Sequence, residues 1–185
     1  STVYIVARLV LGEVEVRVHP AFLNENHPFL SVKDEYNAIS ITGNASDDVM
    51  FYGKGAGQMA AASAVASDLI FLARHVVQGT DGKLPYVTYD NKKLKIRSHT
   101  RIQSRYYLRF MTEDRPGVLS RISGILGKHK VSIASVYQPQ SAIHKRVPIV
   151  LVTHMAQEGQ VQKAISEINR LKYTRAKTVL IRIED

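Results

Sequence analysis

From Tyr106 to Ile183 the apolar residues change their spacing in one fixed order, and that order leaves few folds open. Tyr106, Leu108 and Phe110 alternate, as along a strand with one buried face. Val118, Ile122, Ile125 and Leu126 fall on one face of a helix. Residues 131–137 and 146–153 return to strand character, the second nearly continuous in apolar residues. Val161, Ile165, Ile168 and Leu171 mark another helix face, and Val179, Ile181 and Ile183 alternate again. The order β-α-β-β-α-β predicts a four-stranded antiparallel sheet with both helices on one side.

The turn after the first of these strands carries the chemistry. It reads Glu113-Asp114-Arg115-Pro116-Gly117-Val118-Leu119. The strand ends at Thr112, and a helix is expected from about Pro116, because proline suits a first helical position, where its missing N–H is no loss. Gly117 leaves bare amides at the positive end of that helix, where a small carboxylate can sit. Asp114, just outside the helix, can hold an ammonium group. A turn that takes both ends of a zwitterion points to amino-acid sensing rather than catalysis. The plainer alternative is that Asp114 caps the helix and Gly117 eases a tight turn.

The chain has 185 residues, 45% of them hydrophobic, enough for one medium domain or two small ones. There is no cysteine, which excludes a disulfide framework and a thiolate metal site and fits a cytoplasmic protein. No unbroken apolar run approaches the roughly 18 residues of a membrane span, so no membrane partner is expected. No signal-peptide pattern is found. The chain opens on Ser1 and passes at once into the strand pattern of Val3 to Ala7, which reads as a piece of a longer protein. Much of the net charge of +9 lies between Lys92 and Arg109, where Lys92, Lys93, Lys95, Arg97, Arg101, Arg105 and Arg109 meet no acid nearby in sequence. Such a stretch binds anions or nucleic acid in some proteins, and more often is a solvated linker face or docks on an acidic surface.

In the first half, strands are expected over Tyr4–Val10 and Glu13–Val18. Val14, Val16 and Val18 alternate there with Glu13, Glu15 and Arg17, the pattern of a half-buried strand that His19-Pro20 ends. Ala38–Thr42 and Val49–Tyr52 read as strands around the turn residues 43–48. The run Gly53-Lys54-Gly55-Ala56-Gly57 then leads into a helix from about Met59 to Val77, ended by Gly79. Residues 79–104 form a polar connection, with a short strand near Lys93 to Arg97. The fold class expected is α+β: part of a catalytic domain over 1–78 (a mixed sheet with a long helix), a linker over 79–104, and a ferredoxin-like βαββαβ domain over 105–185.

The Asp-Arg-Pro-Gly-Val-Leu turn, followed by Val131-Ser132-Ile133, resembles the ACT domain, a ferredoxin-like module that senses amino acids. The resemblance implies an effector site at Asp114, Gly117 and Ser132, with serine standing where some members have asparagine. It also implies side-by-side pairing, and therefore a homo-oligomer. RNA-recognition domains share the element order but stack bases on aromatic side chains of the central strands. Val147-Pro148-Ile149-Val150-Leu151-Val152 offers none, so no nucleic-acid partner is expected.

By spacing alone the glycine-rich run is a weak signal, since it does not meet the dinucleotide fingerprint. Its surroundings add to it. Val16-Arg17-Val18-His19-Pro20, Asn26-His27-Pro28, Tyr36-Asn37-Ala38-Ile39 and Ala62-Ser63-Ala64-Val65-Ala66-Ser67-Asp68-Leu69-Ile70 resemble the C-terminal part of the catalytic region of homoserine dehydrogenase. That resemblance implies an oxidoreductase of amino-acid biosynthesis. It would interconvert L-homoserine and L-aspartate 4-semialdehyde with NADP or NAD, under feedback by an ACT domain, with L-threonine the expected effector. It implies a cofactor contact at Gly57, with Gly55 and Ala56 as supporting backbone. Ala60-Ala61 departs from the proline and threonine usual after Gln-Met. No lysine here stands in the context of the family's catalytic lysine, so no catalytic residue and no activity of this chain alone are expected. His19 and His27, each before a proline, are read as shaping loops, and no His, Asp or Glu cluster has metal-ligand spacing. A competing reading is a non-catalytic amino-acid-binding and oligomerisation module.

Overall fold

The computed structural model describes residues 2–80, 93–139 and 146–184. The strands are β1 (Thr2–Val10), β2 (Glu13–Leu23), β3 (Tyr36–Gly43), β4 (Asp47–Lys54), β5 (Lys95–Ile96), β6 (Gln103–Glu113), β7 (Ile133–Tyr137), β8 (Arg146–Thr153), β9 (Ala156–Gln157) and β10 (Val179–Glu184). The helices are α1 (Gln58–Val77), α2 (Val118–Lys128) and α3 (Glu158–Asn169). They form two compact units, Ser1–Asn24 with Lys93–Asp185, and Glu25–Lys92.

In the first unit the sheet order is β1-β2-β10-β6-β8-β7. The four strands β10-β6-β8-β7 and helices α2 and α3 reproduce the βαββαβ domain of the sequence pattern. Tyr106, Leu108 and Phe110 of β6 are fully buried, as are Ile122 and Leu126 of α2, Leu151 of β8, and Val161 and Ile168 of α3. These side chains share one core, which both helices cover. Burying each large apolar side chain stabilises the fold by about 1.5–3 kcal/mol.

Helix α2 begins at Val118, two residues after the Pro116 start expected from sequence. Gly117 is its N-cap, at φ 86°, in the left-handed region that glycine enters without penalty. That conformation breaks the helical run, so Pro116 lies in the preceding turn, closed by the Val118 amide donating to the Arg115 carbonyl at 3.3 Å.

The sheet does not stop at the expected domain edge. β2 pairs in parallel with β10, with Arg182 opposite Ala21 and Glu184 opposite Leu23, and β1 pairs antiparallel with β2. The divisions expected after residues 78 and 104 therefore differ from those of the structure, where the chain parts at Asn24 and rejoins the first unit at Lys93. Two details of β2 are corrected with it. It runs through His19-Pro20 to Leu23. Its valine face is also the open one: Val16 and Val18 are 55% and 63% exposed, whereas Glu15, Arg17 and His19 are 5–7% exposed.

The buried face of β2 is tolerable because β10 supplies counter-charge. Arg17 Nη1 stands 2.9 Å from Glu184 Oε1 and Arg17 Nε 3.2 Å from Glu15 Oε1, and Arg8 reaches Glu184 at 2.9 Å. The aligned hydrogen bond runs from Arg17 Nη2 to Glu184 Oε2 at 3.1 Å; the Nη1 contact is close but off line. The basic stretch after residue 92 is likewise partly neutralised, since Lys95 and Arg101 both pair with Glu13.

In the second unit β3 and β4 form a two-stranded antiparallel sheet, and α1 follows. No residue of α1 is buried. By length and composition alone it is long and apolar enough to cross a membrane, although Ser63, Ser67 and Asp68 interrupt it. Its end is the expected one: Gly79, at φ 63°, donates its amide to the Val76 carbonyl at 3.1 Å.

Candidate functional site

The two regions singled out in sequence lie in different units. In the first unit, Asp114 follows the end of β6 and is exposed, and among the described residues it has no hydrogen bond or ion pair. It does not cap α2, whose N-cap Gly117 has no side-chain hydrogen bond. The neighbouring charges are already satisfied. Glu113 pairs with Arg115 at 3.2 Å and also with Arg175, so Asp114 is left as the unpaired carboxylate of the turn. The first-turn amides of α2 have no intrahelical acceptors, which gives the turn its positive end.

Ser132 immediately precedes β7 and is exposed. Its carbonyl accepts the His154 amide at 3.0 Å, which holds the start of β7 against the end of β8. β7 is the edge strand of the sheet, and Val136 and Tyr137 are 45% and 64% exposed on it.

An open cavity of about 430 Å³ runs along α2 from Gly117 past Ser120, Arg121 and Gly124 to Lys128, with Glu167 of α3 as its far wall. It therefore takes in Gly117, while Asp114 and Ser132 do not line it. Glu167 accepts from Lys128 at 3.0 Å and from His129 at 2.9 Å. The His129 bond first, then that from Lys128, holds its carboxyl below the usual carboxylate range. The sequence reading passed over Arg121, Lys128 and Glu167; the signal for the first two was their helical spacing from Gly117 along one face.

In the second unit the turn after β4 is tied back to the start of β3. The amides of Gly55 and Ala56 both donate to the Glu35 carbonyl, at 2.9 and 3.2 Å. Glu35 and Lys54 pair at 2.9 Å, and that bond is the chief cause that holds the pKa of the glutamate below its ordinary value. Tyr36 and Tyr52 stack with ring centroids 4.9 Å apart. Gly57 is the N-cap of α1 at φ 116°, and nothing lies within 4 Å of where its Cβ would be. Of the three residues assigned to the cofactor, Gly57 has open space where a side chain would stand, though its carbonyl accepts the Ala61 amide at 3.0 Å, while Gly55 and Ala56 spend their amides inside the protein.

The comparisons with known proteins give each of the two regions a match of its own, although the first match also takes in strands of the first unit. Residues 2–70 match the family model described as homoserine dehydrogenase, and residues 106–172 match that of the ACT domain. A homoserine dehydrogenase of Pseudomonas aeruginosa is 31% identical over 183 residues, covering 97% of this chain and 42% of that protein. The chain belongs to the homoserine dehydrogenase family. It corresponds to the C-terminal part of that family's proteins, and spans about two fifths of the length of the curated relatives it matches. The crystal structure of a homoserine dehydrogenase from Thiobacillus denitrificans superposes with a TM-score of 0.83 at 31% identity, over 99% of this chain and 43% of that one. One from S. aureus, 24% identical, shares the fold with a TM-score of 0.55 over 99% of this chain and 42% of that one.

The histidines of this homoserine dehydrogenase segment have structural surroundings. His27 Nδ1 accepts the Phe29 amide at 3.1 Å and shapes the short helical turn Pro28–Ser31. His19 is not in a loop but in β2, with its Nδ1 3.1 Å from the Pro20 carbonyl and its Nε2 3.7 Å from Glu184. Burial, and then the nearby Arg182 and Arg17, push its basicity below the ordinary histidine value. Among the described residues no group of three His, Asp or Glu side chains is placed to hold a metal ion.

Proposed function

We propose that this chain is the C-terminal part of a homoserine dehydrogenase whose whole protein interconverts L-homoserine and L-aspartate 4-semialdehyde with NADP or NAD, under feedback by L-threonine. The observation that carries this reading is the match of residues 2–70 to the homoserine dehydrogenase model, followed by the ACT match at 106–172. The open Gly57 backbone at the N-terminus of α1 supports a cofactor contact there, with Gly55 and Ala56 as the backbone that holds it. The nicotinamide group, when bound, accepts or delivers the hydride. The chain's own part is to present the Gly57 backbone at a fixed point. Catalytic side chains belong to the rest of the protein, as does the surface that α1 covers, because a long helix rich in apolar residues with none of them buried needs one.

Feedback follows from linkage. Threonine would place its carboxylate at the amides after Gly117 and its ammonium group at Asp114, with Ser132 completing the site from the edge of a paired ACT domain. The carboxylate of Asp114 and the edge of β7, both without a partner among the described residues, support that arrangement and a homo-oligomer built on it. An effector that binds one arrangement of the pair more tightly shifts the population towards it, and the reciprocal effect falls on the active site. This is a cytoplasmic, soluble reading. The test is an assay of the full-length protein for NADP- or NAD-dependent homoserine oxidation, with and without threonine. Oxidation that threonine inhibits is expected, and absence of any turnover overturns the reading. This chain alone should show no turnover.

A further inference from the structure

Gly55 is a glycine for a reason its backbone does not explain. Its φ is not among the positive ones, so any residue could adopt its conformation. Space is what forbids a side chain. A Cβ on Gly55 would overlap the side-chain amide of Asn37, and even the Asn37 Cβ stands only 3.0 Å from that point. Asn37 lies on β3 directly opposite Gly53 in the β3–β4 register. One residue earlier in that register Tyr36 faces Lys54, and Glu35 accepts the amides of Gly55 and Ala56. The turn is therefore held from two sides: Glu35 clamps its backbone, and Asn37 fills the space a side chain on it would need.

We infer that Asn37 is a positioning residue for the cofactor turn, setting where the Gly57 backbone stands by closing against Gly55. The inference rests on the reading of Gly57 as a cofactor contact. Asn37 itself touches nothing that reacts. The contact is a fit between a side chain and a missing Cβ, so it predicts a specific repair. Alanine at Gly55 must displace the Asn37 side chain or push the turn away from β3, and glycine at Asn37 must make room for it again. Gly57 differs, because its surroundings are open and its φ of 116° is what a side chain would strain.

The experiment uses the full-length protein and five variants: Gly55→Ala, Asn37→Gly, the double variant of these two, Gly57→Ala, and Gly57→Ala combined with Asn37→Gly. Binding of NADPH and NADH is followed by cofactor fluorescence, and hydrogen–deuterium exchange is followed in peptides spanning residues 53–59. Gly55→Ala is expected to weaken cofactor binding about tenfold or more, as a displaced contact does, and to speed exchange in those peptides. The double variant is expected to return both readouts to within about twofold of the Asn37→Gly single variant, as coupled neighbours do. Gly57→Ala is expected to weaken binding without repair by Asn37→Gly. Unchanged binding and exchange in Gly55→Ala, or a double variant no better than Gly55→Ala, overturns the inference. If the unaltered protein binds neither cofactor, it is the dehydrogenase reading that fails, and the exchange pattern alone still decides whether Asn37 positions the turn.

Discussion

The Tyr106 hydroxyl donates to Glu158 Oε2 across 3.0 Å, and both side chains are fully buried. Arg182 donates twice to the same oxygen, from Nε at 3.0 Å and Nη2 at 2.7 Å, and Gln162 donates to Oε1 at 2.7 Å. One carboxylate thus joins β6, β10 and the first turn of α3.

Glu158→Gln should destabilise the protein by about 3–5 kcal/mol, because it strands a mostly buried arginine without its counter-charge. Burial alone would raise the pKa of Glu158, but the bonds from Gln162, Arg182 and Tyr106 outweigh it and hold the value below 4.5. A depressed carboxylate adds stability that is fully present above the unfolded-state value and is lost as pH falls through the folded one. Urea unfolding between about pH 3 and pH 6 should therefore show a steeper acid loss in the wild type than in the variant. Parallel curves would remove Glu158 as the source.

His19 gives a second pH dependence of the same sign by a different route. Its folded pKa lies below 6.5, chiefly through burial. Between the folded value and 6.5 the unfolded chain binds the extra proton, so stability rises with pH there and is lost as pH falls. The groups facing His19 are Arg17 on its own strand and Arg182 and Glu184 on β10. His19→Gln should flatten the stability curve just below pH 6.5, as measured by thermal unfolding at fixed ionic strength.

How much of this was legible in the sequence depended on how far apart the partners lie. The core of the βαββαβ domain could be read because Tyr106, Leu108, Phe110 and the helix faces at Ile122 and Ile165 keep a local period. β2 misled for the opposite reason. Its valines have the look of a buried face, but the face that packs is the charged one, and its partner Glu184 lies 167 positions from Arg17. No local pattern reports a charge supplied from that distance. The glycine-rich turn was visible as a word, yet what shapes it, Asn37 against Gly55, acts across a hairpin. At the turn before α2, Asp114 and Gly117 stood out in the sequence, while the groove wall at Glu167 comes from a different helix.

The Arg17–Glu184 pair holds β2 to β10, and through it the homoserine dehydrogenase match to the sheet of the ACT match. Glu184→Ala leaves Arg17 and Arg8 facing each other without their shared carboxylate, with Glu15 the remaining partner of Arg17. A loss of about 1.5–3 kcal/mol is expected, the size of a hydrogen bond to a charged group. Arg17→Met with Glu184→Leu and Glu15→Leu removes all three buried charges, fills the space, and should recover most of that loss. Denaturant unfolding of the single and triple variants checks this. A triple variant as unstable as Glu184→Ala would mean that the charges themselves, and not the removal of one partner, hold the joint.

Among the described residues the Asp114 carboxylate has no hydrogen bond or ion pair, while its neighbour Glu113 is held by Arg115 and Arg175, so replacing Asp114 breaks no such bond. Asp114→Ala should therefore leave thermal stability within about 0.5 kcal/mol of wild type, as surface substitutions do. If Asp114 receives the ammonium group of threonine, the same change should cost about 1.5–3 kcal/mol of binding, the size of a hydrogen bond to a charged group. That is about ten- to a hundredfold in affinity. Titration calorimetry of both proteins with threonine reads it directly. Equal affinities would take Asp114 out of the site, and no heat from the wild type would leave the ACT domain a structural pairing element.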